Sequence, residues 1–314
     1  MKLIEFINEF PTEIKCKQRF KDIREKEGVI CKKCNNTEHY WLNNKELYEC
    51  KKCHFRMSLK SGTVMENSKL SFQYWFIAMH LLTATKKTIS ALEMQRQIGH
   101  KFYEPIWAMM HKIRRIMNKR DMKYKLDKNV ELDEGFYSIG YTLEIDEFTG
   151  EKEELKRGKG SQRKAKVLVM ASFNKEKEKN LRTKKYRIKS KAKYIKMVVI
   201  DDLMSETINN EVQKAIDEDA KVVTDDFKSY KKLKEIVKEH KAYNLKYYDS
   251  EKVLPWVHKA IANSKNLLKA IHHCIKQEYL QNYLDEFCYK YNRRYFGERV
   301  FNRLLIASVS NNWY

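Results

Sequence analysis

Glycine and proline are scarce in this 314-residue chain, at 9 and 3 residues. No glycine-rich loop is present to cradle a nucleotide's phosphates, so nucleoside triphosphate hydrolysis is disfavoured. Linkers leave little compositional trace for the same reason. Long apolar runs are also missing. The most apolar stretch, from Tyr74 to Ala84, falls well short of the roughly 20 residues that cross a bilayer. No signal peptide is expected, and no Ser-His-Asp arrangement supports acyl transfer. Acid is outnumbered, with 42 Asp and Glu against 64 Lys and Arg and a formal net charge of +22. That balance favours a polyanionic partner. A membrane surface would call for one clean amphipathic basic helix, whereas here the charge is spread over predicted strands and loops.

Of 7 cysteines, four stand in a pattern: Cys31, Cys34, Cys50 and Cys53 form two C-x-x-C pairs fifteen residues apart. Two thiolates two residues apart can grip one zinc ion from a tight knuckle, and two knuckles close a tetrahedral site. The spacing is that of a zinc ribbon, with one structural Zn2+. His54 beside Cys53 is a spare ligand that four cysteines do not need. Cys16, Cys274 and Cys288 are left over, an odd number that fits a reducing cytoplasm better than a disulfide framework.

Four stretches follow in the chain. Residues 1–28 read as an N-terminal helical segment, with Leu3, Phe6, Ile7 and Phe10 at helical spacing before Pro11. Residues 29–70 hold the ribbon, with short strands at Tyr40–Trp41 and Tyr48–Glu49. Residues 71–122 read as a helical DNA-binding domain: one apolar helix, then two around Gly99-His100, a helix-turn-helix-like outline with Lys112, Arg114 and Arg115 late in the second. Residues 123–314 read as α/β. Strands are expected at residues 130–134, 166–172 and 195–200, and a helix at 204–217. A short buried strand follows at 221–224, then a helix to about His240, with further helices at 256–277 and 278–292.

Residues 156–196 carry 17 Lys or Arg against 2 Glu. Such a run neutralises phosphates without reading sequence. Lys156, Arg157, Lys159, Arg163, Lys164, Lys184, Lys185 and Arg187 are its expected DNA contacts.

The order of motifs is itself informative. The ribbon is followed by Ser61-Gly62-Thr63 and an aromatic helix, then Val130-Glu-Leu-Asp-Glu. Val222-Val-Thr-Asp-Asp-Phe-Lys-Ser-Tyr230 comes next, then Trp256-Val-His258 and Tyr291-Asn-Arg-Arg294. This resembles the zinc-ribbon DDE transposases of bacterial insertion sequences, the ISXO-like group, over nearly the whole chain. The resemblance implies an RNase H-like catalytic core, DNA strand cleavage and strand transfer at element ends, and two catalytic Mg2+ or Mn2+ ions. It places Asp133 and Asp225 at the first two acidic positions.

Phosphoryl transfer between DNA strands suits that set, because two metals clamp the attacking and leaving oxygens. Asp133 on the first strand and Asp225 after the fourth are neighbours if those strands pair. Glu134 and Asp226 are the adjacent alternatives, and strand alternation turns Glu134 to the opposite face from Asp133.

The third position departs from a glutamate. No carboxylate occurs between residues 252 and 277, and Asn263 occupies the matching place, as in a branch of the family. An amide oxygen is a neutral ligand, so the second metal is expected to bind more weakly. Lys259, Asn263 and Asn266 share a helical face. Lys265 follows the family branch but lies off that face. Lys259 is expected to face the scissile phosphate from that shared face, and by the resemblance His258 and Lys265 are expected near the DNA. Glu278, Asp285 and Glu286 are fallback acids.

These readings lead to a transposase that binds terminal inverted repeats as an oligomer on double-stranded DNA, cytoplasmic and nucleoid-associated. The rival readings are a catalytically degenerate zinc-ribbon DNA-binding protein and a metal-dependent nuclease without strand transfer.

Overall fold

The computed structural model describes residues 1–141, 155–179, 186–244 and 246–310, with side chains for all of these except residues 159, 177–179, 186–189, 250 and 251. The chain forms two compact units: Met1–Asp121 with Arg293–Tyr314, and Met122–Asn292.

The first unit begins with α1 (Leu3–Glu9) and α2 (Glu13–Glu27), with Pro11 between them as expected. The ribbon strands β1 (His39–Leu42), β2 (Leu47–Cys50) and β3 (Arg56–Ser58) form an antiparallel sheet in that order. Helix α3 (Phe72–Ala84) is capped twice: by Ser71, which accepts from the Tyr74 N–H, and by Glu13 of α2. The Glu13 carboxylate accepts from Phe72 N at 2.9 Å and Gln73 N at 2.7 Å. A negative charge at those free donors also suits the helix dipole.

Helix α4 (Ala91–Ile98) ends at Gly99, whose φ of +72° is the left-handed turn that glycine permits without strain. Helix α5 (Tyr103–Asp121) then runs through the core, burying Ile106, Met110, Ile113 and Met117. Of Lys112, Arg114 and Arg115, only Arg115 is exposed. Arg114 is 1% exposed, and Lys112 donates to the Glu66 carbonyl at 2.7 Å.

The second unit is built on a five-stranded sheet of β4 (Asn129–Ser138), β5 (Lys164–Lys179), β6 (Tyr186–Ile200), β7 (Lys221–Asp225) and β8 (Glu239–Tyr243), in the spatial order β6-β5-β4-β7-β8. The pairs β4–β5 and β5–β6 are antiparallel, while β4–β7 and β7–β8 are parallel. This is the RNase H-like sheet, with β4 at its centre. Helix α6 (Ser205–Ala215) covers one face, packing over Val130, Leu132, Leu168 and Met170. After the short α7 (Ser250–Val253), α8 (Pro255–Ile271) and α9 (Gln277–Asn292) cover the other, over Val167, Val169 and Ala171. The period of two along each strand sorts these residues between faces.

Strand β8 stands where a helix to His240 was expected. A run of short 3-10 turns at Lys228–Glu235 precedes it. The strand's Glu-His-Lys-Ala-Tyr sequence shows no apolar alternation because, at the sheet's edge, it buries little.

The opposite edge, β6, is closed by side-chain amides from α9. Asn292 accepts from Ile195 N at 2.8 Å and donates to Ile195 O at 2.9 Å. Gln281 accepts from Val199 N at 2.7 Å and donates to Met197 O at 2.9 Å. Those bonds occupy backbone groups that would otherwise pair with another strand.

The last helix, α10 (Arg299–Ser310), departs from the expected catalytic boundary at residue 314. It packs on α2, α3 and α5 of the first unit. Phe301 joins Phe6, Phe10, Phe76 and His80 in an aromatic cluster that buries its apolar face.

Candidate metal centres

The zinc knuckles have matching local geometry. After each C-x-x-C pair comes a left-handed residue, Asn35 (φ 57°) and His54 (φ 55°). Its N–H bonds back to the first cysteine's carbonyl, Asn35 N to Cys31 O at 2.9 Å and His54 N to Cys50 O at 3.0 Å. Turning the chain so tightly brings all four sulfurs within 4.8 Å of one another. Cys31 and Cys53 lie 3.6 Å apart, and Cys34 and Cys50 3.5 Å. A zinc tetrahedron with ~2.3 Å bonds has edges of about 3.8 Å, so the four residues present fit the ion.

The thiols themselves report the crowding. Asn36's backbone N–H favours the Cys34 thiolate, but burial and the three neighbouring sulfurs push it up to about 12. Burial opposes the Cys50 thiolate too, yet backbone N–H groups of Cys53 and Lys52, with Cys34 and Asn36, bring it down to about 6. His54 takes no part: its side chain is 74% exposed, 3.7 Å from Glu49. The buried guanidinium of Arg24 on α2 holds the ribbon's end, donating to the carbonyls of Ser58 (3.0 Å), Leu59 and Ser61 (2.6 Å).

The acidic centre lies wholly in the second unit. Parallel pairing of β4 with β7 aligns Glu131 with Val223, and this register carries Asp133 to the level of Asp225 at β7's end. Carboxylate oxygens of Asp133, Glu134 and Asp225 lie within 4.8 Å of one another. Three convergent carboxylates repel one another until a cation enters, and oxygen ligands of this kind suit Mg2+ or Mn2+.

Glu134 does face away from Asp133, as alternation predicted, but the expectation that this removes it from the site fails. Its Oε2 accepts from Tyr230 Oη at 2.9 Å, and its carboxylate still reaches the aspartates. Burial, then the charges of Glu134 and Asp133, raise the Tyr230 hydroxyl, which keeps it a donor. Asp225 accepts from Phe227 N at 3.3 Å, which turns the chain away after β7. Asp226, the other alternative, instead meets Asn244 at 3.4 Å.

Helix α8 runs along the odd-numbered face of β4. His258 Nε2 is 3.1 Å from Asp133 Oδ2. Further along, Tyr137 Oη meets Ser264 Oγ at 2.6 Å. Gly135 lets the helix close in: a Cβ there would stand 3.0 Å from the Tyr137 ring and 3.4 Å from Ile261.

Asn263 stands elsewhere on this helix. Counting about 100° and 1.5 Å per residue, it lies about 140° around and about 7.5 Å along from His258, and it is exposed. Exposed Lys259 lies over the Trp256 ring at 4.5 Å. Lys265, read as off the functional face, comes back to the strand: its Nζ is 5.4 Å from the Tyr137 ring, and burial, then Lys164, lower its pKa. The fallback acids Asp285 and Glu286 are buried in α9.

The basic residues gather beyond the far end of β4. Lys156, Arg157, Arg163 and Lys164 are exposed around the turn Gly158–Gly160. Lys184 and Lys185 lie outside the described residues, as do the side chains of Lys159 and Arg187.

One residue of this face went unassigned in the sequence. Glu131 is 3% exposed, and its Oε2 accepts from Trp256 N at 2.6 Å and Val257 N at 3.0 Å. Burial pushes its carboxyl up to about 7 against those two N–H groups and against His258 and Lys259.

An RNase H-like sheet with acids meeting on its two central parallel strands, in a chain with a four-cysteine ribbon, defines a zinc-ribbon DDE transposase. Comparison with known proteins agrees. The ISXO2-like transposase domain matches residues 125–292, and the transposase zinc-ribbon domain matches residues 11–56. The chain belongs to the ISXO2-like transposase family.

No curated protein matches. Among solved structures, the pre-cleavage Mos1 transpososome is similar at 9% identity, over 76% of this chain and 79% of that one, with a TM-score of 0.28. The Mos1 mariner paired end complex with Mn shows 11% identity over 76% and 78%, with a TM-score of 0.29. At these scores the likeness is remote.

Proposed function

We propose that this transposase binds the terminal inverted repeats of its own insertion sequence and joins the cut ends to target DNA. The reaction is strand cleavage followed by strand transfer, on double-stranded DNA, by an oligomer of this chain in the cytoplasm at the nucleoid. The observation that carries the reading is the convergence of Asp133, Glu134 and Asp225 at the sheet's centre. Asp133 and Asp225 would hold the divalent metal, which supplies the charge that a phosphoryl-transfer transition state needs. Glu134 adds a third carboxylate, braced by Tyr230. Asn263 would approach as a neutral third ligand once DNA is bound. Lys156, Arg157, Arg163, Lys164, Lys259 and Lys265 would carry the phosphate backbone. Among the described residues no helix is long and apolar enough to cross a membrane.

The exposed position of Asn263 favours a second reading, a degenerate transposase that binds DNA without cutting it. One assay separates the two: strand transfer in Mg2+ or Mn2+ with the gene's flanking DNA as donor, comparing wild type, Asp225→Ala and Asn263→Ala. Joined product from wild type, lost in both variants while end binding persists, supports the transposase with an Asp-Asp-Asn centre. End binding without product from any of the three supports the degenerate reading. Cut but unjoined ends would mark a nuclease.

A further inference from the structure

Helix α8 has an incomplete N-terminus of its own. Pro255 opens it without an N–H, and the preceding Leu254 offers no side-chain acceptor. The next two donors, Trp256 N and Val257 N, are those that an N-cap side chain would normally take. Both go to a single oxygen of Glu131, which comes from the middle of the sheet, 125 residues earlier in the chain for Trp256. The residue after them, His258, meets Asp133. Glu131 and Asp133 are two residues apart on one strand face, about 6.6 Å along it. Together they grip three consecutive residues of α8.

We propose that Glu131 is a positioning residue for strand transfer, a long-range cap that fixes the start of α8 and so sets where His258, Asn263 and Lys265 stand relative to the metal-binding carboxylates. This rests on the transposase reading above. Glu131 needs no contact with DNA or metal for the role. It needs one acceptor oxygen at the right reach, because both bonds use the same atom.

Reach and charge can be separated. Glu131→Gln keeps the reach and an acceptor oxygen but drops the charge. Glu131→Asp keeps the charge but withdraws the oxygen by one methylene. The full-length protein with zinc bound is measured for strand-transfer rate at saturating end DNA, for end-DNA affinity, and for amide hydrogen exchange in α8. The expected result is a Gln variant within about threefold of wild type with end affinity unchanged, and an Asp variant slowed at least tenfold at saturating end DNA. Exchange at Trp256 and Val257 rises in the Asp variant while β4 and β5 stay protected.

An active Asp variant beside an inactive Gln variant would overturn the proposal, because charge and not the cap would then matter. Unchanged exchange at those two amides in the Asp variant overturns it as well. Wild type without strand-transfer activity refutes the transposase reading alone, and the exchange experiment then still decides whether Glu131 is the cap of α8.

Discussion

Removing a negative charge from the acidic centre should stabilise the protein while destroying its response to metal. Asp225→Asn is the substitution to make, because the amide oxygen still accepts from Phe227 N and the turn after β7 is kept. Asp225 faces two other carboxylates, with oxygens within 4.8 Å. At that separation each pair repels by about 1 kcal/mol in bulk water and about 3.5 kcal/mol at an effective dielectric of 20. The Asp133 side chain is only 16% exposed, so the bulk-water figure is the floor of this repulsion. Two pairs at that floor come to about 2 kcal/mol. For a unit of this size that is a rise in Tm of about 4–8 °C.

Metal acts in the same sense on the wild type. Mg2+ at ten times its Kd adds about 1.4 kcal/mol, or roughly 3–6 °C, because it neutralises what the substitution removes. Scanning calorimetry of the full chain, with and without Mg2+, measures both effects. Asp225→Asn should melt higher than wild type without Mg2+ and stay nearly flat as Mg2+ is added. A variant that melts lower without Mg2+ and gains as much from the ion as wild type would refute the cluster as a cation site.

Three further outcomes are expected. Stripping zinc, or Cys50→Ser, should expose the amides of residues 31–58 to rapid hydrogen exchange and abolish end-specific binding, with β4–β7 unaffected; unchanged end recognition in chelator counts against the ribbon's role. His80, stacked on Phe6 at 4.3 Å, is held below the usual histidine range by burial and then by the N-terminal ammonium. A depressed histidine contributes stability that is present above the unfolded pKa of about 6.5 and lost as pH falls through the folded value; His80→Phe should therefore flatten the acid loss seen in urea melts below about pH 6.5, and an unchanged slope would acquit His80. Gly135→Ala places a Cβ 3.0 Å from the Tyr137 ring and 3.4 Å from Ile261, an overpacking that should cost about 1–3 kcal/mol in urea unfolding.

Much of this was legible in the sequence because its signals are local. A C-x-x-C knuckle is a four-residue geometry, and the ribbon's strands follow from it. The alternation of Val130 to Glu134 and the run Val222–Thr224 identify central strands, and their pairing follows from an α/β order. What stayed hidden depends on tertiary position. Strand β8 is polar because an edge strand has one neighbour and little to bury. Arg114 reads as a surface cation late in an amphipathic helix, yet α5 is surrounded on that side and the residue is 1% exposed. Lys265 turns toward Tyr137 because α8 lies along β4 by its His258, Ile261 and Ser264 stripe. No helical period states which stripe the sheet will choose.

Glu134 and Glu131 show the same limit from opposite directions. Alternation correctly sends Glu134 across the sheet, but a carboxylate on a long side chain near the end of a neighbouring strand can still reach around it. Glu131 shares Asp133's face, and an acid beside Val130 and Leu132 in a central strand is costly to bury. That cost is visible in a carboxyl raised to about 7. Leucine or methionine at this place would suit the core better and leave two helix donors unpaired. The fold tolerates the acid because α8 begins there, and where α8 begins decides what faces Asp133.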